Sequence, residues 1–89
     1  MILLALALAG VPATRPLPLD VRRYIERRQG CDHWRGEYSE DPVRRHQIER
    51  GVRKECIGSD RELDRLRRTY RRVPRVVAAL DDYGKVELR

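Results

Sequence analysis

Residues 31–56 read CDHWRGEYSEDPVRRHQIERGVRKEC, and this stretch decides how the chain folds. It contains both cysteines, both histidines and the only tryptophan of the 89-residue chain. The residues before it predict an export signal and a short helix, and the residues after it predict plain helix. Any unusual chemistry is therefore expected inside this stretch.

The two cysteines predict a disulfide, because an exported chain most economically pairs them. A Cys31–Cys56 bridge closes a loop of about 26 residues, for which chain entropy gives about 3.5 kcal/mol of stabilisation. Domains of this size bury only roughly 60% of their extended-chain surface and usually need such a staple. The bridge would tie the start of this stretch to the end of the helix that follows.

Two other uses of these residues are possible. Cys31, His33, His46 and Cys56 have the side chains that zinc prefers, although their only close pair is C-x-H. Cys31 could also be a nucleophile with His33 or His46 as its base, or Asp32 and His33 an acid–base pair. Neighbouring residues in a loop seldom face one another. We therefore expect a protein that is not an enzyme, with no metal, no cofactor and no small-molecule substrate.

The N-terminal residues 1–13 form an apolar run that is too short to span a bilayer. Such a run is typical of a signal peptide, and Val11-Pro12-Ala13 supplies the small residues for cleavage before Thr14. No Lys or Arg precedes the run, so an N-terminal core helix or strand is the alternative. We predict a signal peptide at 1–13, a proline-containing linker at 14–18, a helical domain at 19–84 and a tail at 85–89. The mature chain would be periplasmic or secreted, without an integral membrane span.

The first predicted helix runs from Leu19 to Gly30, which would be its left-handed C-cap. A loop would follow from Cys31 to Glu40, with Trp34 folded back into the core. The residues of this helix that are expected to face inward are Val21, either Tyr24 or Ile25, and Arg28.

The second helix is predicted to begin at Asp41-Pro42, where the carboxylate accepts from exposed amides and proline needs no donor. Gly51 weakens it by about 1 kcal/mol relative to alanine. Gly58 ends it, and the sequence 59–62, SDRE, predicts a capping box that begins the third helix. The inward residues of the second helix are expected to be Ile48, Val52 and Cys56.

The third helix carries a regular apolar stripe that Pro74 interrupts, and a fourth helix then begins. Gly84 is expected to cap this last helix, with a frayed tail after it. The predicted fold is therefore all-α, a small three- to four-helix domain stapled by one disulfide. The stripe of the third helix is Leu63, Leu66, Tyr70 and Val73, and the inward residues of the fourth are Val76, Val77, Leu80 and Tyr83.

Charge suggests two classes of binding function. The chain has 20 basic and 14 acidic residues, which give a net charge of +6, and only two of the basic residues are lysine. Arginine binds carboxylate and phosphate bidentately, but arginine dominance is also typical of GC-rich coding genomes. The favoured prediction is a non-enzymatic protein-interaction module of the bacterial cell envelope, and the alternative is a binder of nucleic acid, lipid headgroups or lipopolysaccharide. The contact residues predicted for the module are His33, Trp34, Arg35 and Glu37. The anion-binding residues predicted for the alternative are Arg65, Arg68, Arg71 and Arg72.

The motif Cys-Asp-His-Trp-x-Gly-Glu at 31–37, with Arg44, Gln47-Ile48 and a Cys-x-Gly-x-Asp motif at 56–60, resembles a group of small exported bacterial proteins of uncharacterised function. The resemblance covers roughly residues 29–83 and implies export and a helical domain with paired cysteines. Residues 56–70 are also similar to a helical repeat of the LprI-type lysozyme inhibitor family, in which a Cys precedes Asp-x-x-Leu-x-x-Leu and a Tyr. The first cysteine here lies further upstream than that repeat has it. This second resemblance implies lysozyme inhibition as another alternative function.

Overall fold

The structure, a computed structural model, describes residues 16–87 and is all-α over that range. The predicted signal peptide lies outside the described residues. Four helices follow one another, and the part of the chain described contains no strand. The predicted fold class is confirmed, including the Cys31–Cys56 disulfide. Within these residues no helix is long and apolar enough to cross a membrane. The helices are α1 (Leu19–Arg35), α2 (Pro42–Cys56), α3 (Ser59–Thr69) and α4 (Pro74–Leu80).

Helix α1 is longer than predicted, because Gly30 continues the helix instead of ending it. Among the described residues only Gly58 has a positive φ, at 89°. A Cβ on Gly30 would meet only the flexible side chain of Glu55, 3.3 Å from its Oε1, which places Gly30 where α1 faces α2. The predicted loop from Cys31 to Glu40 is therefore wrong in its first half. Residues 31–35, including Trp34, form the last turn of α1.

The hydrophobic core is formed by α1, α3 and α4. The predicted inward residues Val21, Tyr24 and Arg28 of α1 are buried. The apolar stripe of α3 is confirmed, since Leu63 and Leu66 are fully buried and Tyr70 and Val73 pack against them. The buried cluster comprises Val21, Tyr24, Leu63, Leu66, Val76 and Leu80.

Helix α4 departs from its predicted inward face at one position. Val76 and Leu80 are buried as predicted, but Val77 is 36% exposed. Adjacent residues lie about 100° apart around a helix, so a short helix that buries Val76 and Leu80 turns Val77 outward.

Helix α2 is not part of this core and is attached to α1. Its predicted start is confirmed, since the Asp41 carboxylate accepts from the amide of Arg44 at 2.9 Å. Ile48 and Cys56 are buried and Val52 is half-buried, facing α1. At the C-terminus of α2 the guanidinium of Arg27 donates to the carbonyls of Glu55, Lys54 and Ile57. These bonds satisfy carbonyls that a helix end leaves without partners.

The α2–α3 turn is closed by the C-terminal segment. Gly58 lies just after α2 as predicted and is left-handed, but the capping box is wrong, because Gly58 is the N-cap of α3 and no side chain of the helix caps it. The Glu87 carboxylate accepts instead from the amides of Gly58 and Asp60, at 3.1 and 3.0 Å. The Asp60 carboxylate in turn accepts from the amides of Val86 and Glu87, at 2.7 and 3.0 Å.

This reciprocal clamp means that residues 85–87 are docked and not frayed. Gly84 does not cap α4 in a left-handed conformation, since α4 ends at Leu80. The Gly84 carbonyl accepts from Nη1 of Arg28 at 2.6 Å, and the same guanidinium lies 5.4 Å from the ring centre of Tyr83. The chain after α4 is therefore joined to both α1 and α3.

Candidate functional site

Trp34 lies between α1 and α2 and fits against a glycine. It is half-buried, and a Cβ on Gly51 would lie only 2.3 Å from its Cδ2 atom. The Arg44 guanidinium lies over the indole, 5.3 Å from the ring centre, and His33 meets it edge-on at 5.2 Å. Trp34 therefore packs against α2 from the last turn of α1, and the prediction that it folds back from a loop into the core is wrong.

The acidic residue predicted for the contact patch is engaged within the protein. Glu37 accepts from Nη2 of Arg44 at 3.0 Å, and its other carboxylate oxygen lies 3.6 Å from Nε2 of His33. Arg35 pairs with Asp32 at 3.1 Å. The structure thus brings His33, Trp34 and Glu37 together around Arg44, while Arg35 contacts a different carboxylate.

Beside Trp34 a cavity of about 780 Å³ opens along α2. Three cations on its rim, Arg50, Arg53 and Lys54, are exposed and form no ion pair with the described residues. They lie at positions i, i+3 and i+4 of one helix, a spacing that places them side by side. The sequence contained this signal, but the prediction placed the contact patch on residues 33–37. The cavity is lined by Trp34, Arg44, Gln47, Arg50, Gly51, Arg53, Lys54 and Glu55.

A second cavity of about 390 Å³ adjoins the first along the same helix. The two cavities share Gln47 and Arg50, and the second is otherwise lined by Pro42, Val43 and His46. Val43 is 68% exposed. We call the row Val43, Gln47, Arg50, Arg53 and Lys54 the α2 surface; it is apolar at one end and cationic at the other.

Arg65, predicted to bind an external anion, is occupied by carboxylates of the protein. It lies 2.8 Å from Glu62 and 3.4 Å from Asp20, which also accepts from the Tyr70 hydroxyl at 2.8 Å. Partial burial raises the pKa of Asp20, but the hydrogen bonds from Tyr70 and Arg65 outweigh this and lower it. The hydrogen bond to Asp20 raises the pKa of Tyr70, and the hydrogen bond from Arg65 lowers that of Glu62. This network joins α1 to α3.

The other predicted anion-binding residues remain exposed. Arg68, Arg71 and Arg72 form no ion pair with described residues, and Arg71 donates only to the carbonyl of Arg68, at 3.2 Å. Arg75, which the prediction omitted, is exposed just beyond them. No Asp or Glu occurs between residues 65 and 80. We call these four side chains, around the α3–α4 turn, the arginine end.

The disulfide decides between the uses suggested for the cysteines. Cys31 is fully buried and Cys56 is 5% exposed, and their Cα atoms lie 4.9 Å apart. A bonded sulfur is neither a thiolate ligand nor a free nucleophile. The zinc and cysteine-nucleophile alternatives therefore do not fit the oxidised protein. Within residues 16–87 no group of three or more His, Cys, Asp or Glu side chains could hold a metal ion.

Comparisons with protein-family models, with curated proteins and with solved structures gave no match for this chain. The two resemblances noted in the sequence therefore stay predictions. What the structure defines is the class: a small all-α domain stapled by one disulfide, with two exposed cationic surfaces.

Proposed function

We propose that this chain is a non-enzymatic protein-interaction module of the bacterial cell envelope, periplasmic or secreted. Its contact surface is the α2 surface, and its partner presents an acidic segment. Disulfides are characteristic of such oxidising compartments, which supports the proposed location. The observation that carries the proposal is the row of unpaired cations beside a cavity.

The charge of the α2 surface selects an acidic partner. Arg50, Arg53 and Lys54 form no ion pair with a carboxylate of the described chain, whereas Arg44 is paired with Glu37. Glu55 is the only acidic residue that lines the first cavity. Arginine binds carboxylates with two parallel hydrogen bonds, which adds geometric specificity to the charge attraction. An acidic peptide segment can satisfy all three cations at once.

The shape of the α2 surface fits an extended or helical segment. Cavities of about 780 and 390 Å³ lie end to end, within the usual size range of binding pockets. Val43 and Lys54 are separated by about 16 Å along the helix, which is about five residues of extended chain. The segment that fits best therefore has an apolar side chain over Val43 and carboxylates near Arg50, Arg53 and Lys54.

Trp34 supports this surface from below. Its ring is held by Gly51 and Arg44, so it shapes the wall of the cavity and does not reach out to a partner. A rigid wall keeps the backbone of α2 in place before binding, which lowers the entropy that binding costs. The predicted patch of His33, Trp34 and Glu37 is, in this proposal, the support of the contact surface.

Site-specific photo-cross-linking in cells tests the proposal. Arg53 is replaced by p-benzoylphenylalanine, and the matched control carries the same replacement at Arg23, which is exposed on α1. We expect a protein adduct from position 53 only, cross-linked through an acidic segment of the partner. The adduct should disappear when R50E and K54E are added to the chain.

Lysozyme, usually cationic, is the counter-probe, and the α2 surface should not bind it. Equal adducts at positions 23 and 53, or an adduct that persists with R50E and K54E, would contradict the proposed surface. Tight binding of lysozyme would favour the inhibitor alternative.

A further inference from the structure

We propose that the arginine end docks on the phosphate headgroups of an anionic membrane surface. This surface is separate from the α2 surface, and the inference does not depend on the protein partner proposed above. It would place the module at a membrane while α2 binds its partner.

The positive charge of the arginine end is not neutralised by ion pairs with the described residues. Arg68, Arg71, Arg72 and Arg75 lie within eight consecutive residues and are all exposed. The flanking Asp64 is paired with Lys85 at 3.1 Å, which reduces its effect on these arginines. A cluster of four to eight basic residues is the pattern that binds anionic lipids.

An apolar surface lies next to the arginines. Val77 is 36% exposed, and it lines a cavity of about 250 Å³ together with Arg67, Arg71 and Leu80. Tyr70 and Asp81 complete that lining, so a single carboxylate lies at its edge. Guanidinium groups beside an exposed aliphatic side chain suit the boundary between lipid headgroups and acyl chains.

The arginine end suits lipid headgroups better than single-stranded nucleic acid. Proteins that bind single strands stack bases on aromatic rings. Tyr70 is the only aromatic residue between positions 64 and 80, and it is half-buried with its hydroxyl bonded to Asp20. The arginine end therefore offers charge without a stacking platform.

The start of α1 lies at the same end of the domain as the arginines. Asp20 bonds Tyr70 at 2.8 Å and Arg65 at 3.4 Å, so the start of α1 lies beside the end of α3. Leu19, next to Asp20, is 51% exposed. The exposed Leu19 therefore adds a second apolar side chain at the same end of the domain as the arginines.

Vesicle binding tests the inference with the full chain. The partition coefficient is measured on phosphatidylcholine vesicles and on vesicles that also contain phosphatidylglycerol. The test variant carries R68Q, R71Q, R72Q and R75Q; the control carries R45Q, R50Q, R53Q and K54Q, which remove the same charge from α2. Both variants keep the apolar run, so its contribution cancels, and far-UV circular dichroism checks that both are folded.

The expected result is selective loss by the test variant. Each arginine near an anionic surface contributes about fivefold, so the test variant should bind phosphatidylglycerol vesicles about a hundredfold more weakly or worse. The control should keep most of its binding, and added salt should weaken that of the wild type. Equal losses in both variants would overturn the inference, as would wild-type binding independent of phosphatidylglycerol. It also fails if a single-stranded DNA competitor binds the wild type more tightly than the vesicles do and loses that binding in the test variant.

Discussion

The contact between Gly51 and Trp34 predicts that alanine at position 51 destabilises the protein. A Cβ there would lie 2.3, 2.4 and 2.5 Å from Cδ2, Cε2 and Cγ of the indole. Carbon atoms in contact normally lie about 3.5–4.0 Å apart, so the ring or α2 must move. Overpacking of this kind typically costs about 1–3 kcal/mol, while the gain in helix propensity returns about 1 kcal/mol.

Gly30 supplies a matched control, because it also lies inside a helix and gains the same propensity. A Cβ on Gly30 would meet only the end of the Glu55 side chain, at 3.3 Å from Oε1, and that side chain can rotate away. Propensity cancels between G51A and G30A, which leaves the clash. We expect G51A to be less stable than G30A by about 1–3 kcal/mol.

Urea unfolding followed by circular dichroism gives both free energies, and Trp34 fluorescence reports on the ring, since Trp34 is the only tryptophan. A double-mutant cycle with W34A tests the cause. Without the indole, G51A should become stabilising by about 1 kcal/mol. Equal stability of G51A and G30A, with an unchanged Trp34 emission spectrum, would refute the reasoning.

Three further predictions follow from other contacts. Replacing Cys31 and Cys56 by serine should lower the free energy of unfolding by about 2–5 kcal/mol, and amide exchange should show α2 losing protection before α3; retained protection of α2 would contradict its attachment by the disulfide. Folding lowers the pKa of Asp20 from its ordinary value of 3.8, so its carboxylate stabilises the protein at pH values above 3.8. This stabilisation is lost as the pH falls through the pKa of the folded state. Urea unfolding at neutral and acid pH should show a smaller pH dependence for D20N than for wild type, and an equal dependence would refute this. E87Q should lower the thermal midpoint by weakening the amide contacts of Gly58 and Asp60, whereas K85Q, at an exposed neighbouring position, should change it less.

Local signals predicted much of the fold. Asp41-Pro42 marks the start of α2 and Gly58 the turn before α3, because each depends on backbone geometry within a few residues. Helical periodicity also predicts the stripe of Leu63 and Leu66, and the presence of two cysteines in a chain predicted to be exported predicts the disulfide.

Features that depend on distant residues could not be predicted in the same way. Gly30 has the same local signature whether it ends a helix or lies within one, and the contact of α1 with α2 through Cys31 and Cys56, 25 positions apart, is not part of that signature. The clamp between Asp60 and Glu87 joins residues 27 positions apart. The pairing of Arg65 with Asp20 likewise spans 45 positions, so a residue that looks free in the sequence is occupied in the fold.

The sequence predicts the contact patch at His33, Trp34, Arg35 and Glu37, whereas the proposal made from the structure places it on the neighbouring α2 surface. The motif around Trp34 predicts a contact patch because its composition is unusual, whereas Arg50, Arg53 and Lys54 have the pattern of ordinary solvated helix residues. They become candidate contact residues only because Trp34, Gly51 and these three cations line one cavity. That cavity exists only once two helices have packed.

Helix α2 lies outside the buried cluster of α1, α3 and α4, so its outward side can be changed without altering that cluster. In the proposed function, substitutions on the outward side of α2 would change what the protein recognises without disturbing the residues that hold the other three helices together. If Ile48, Gly51 and Cys56 are kept, the remaining α2 positions form a variable recognition helix on a constant scaffold. Related chains with different partners would then differ most at positions such as 43, 47, 50, 53 and 54.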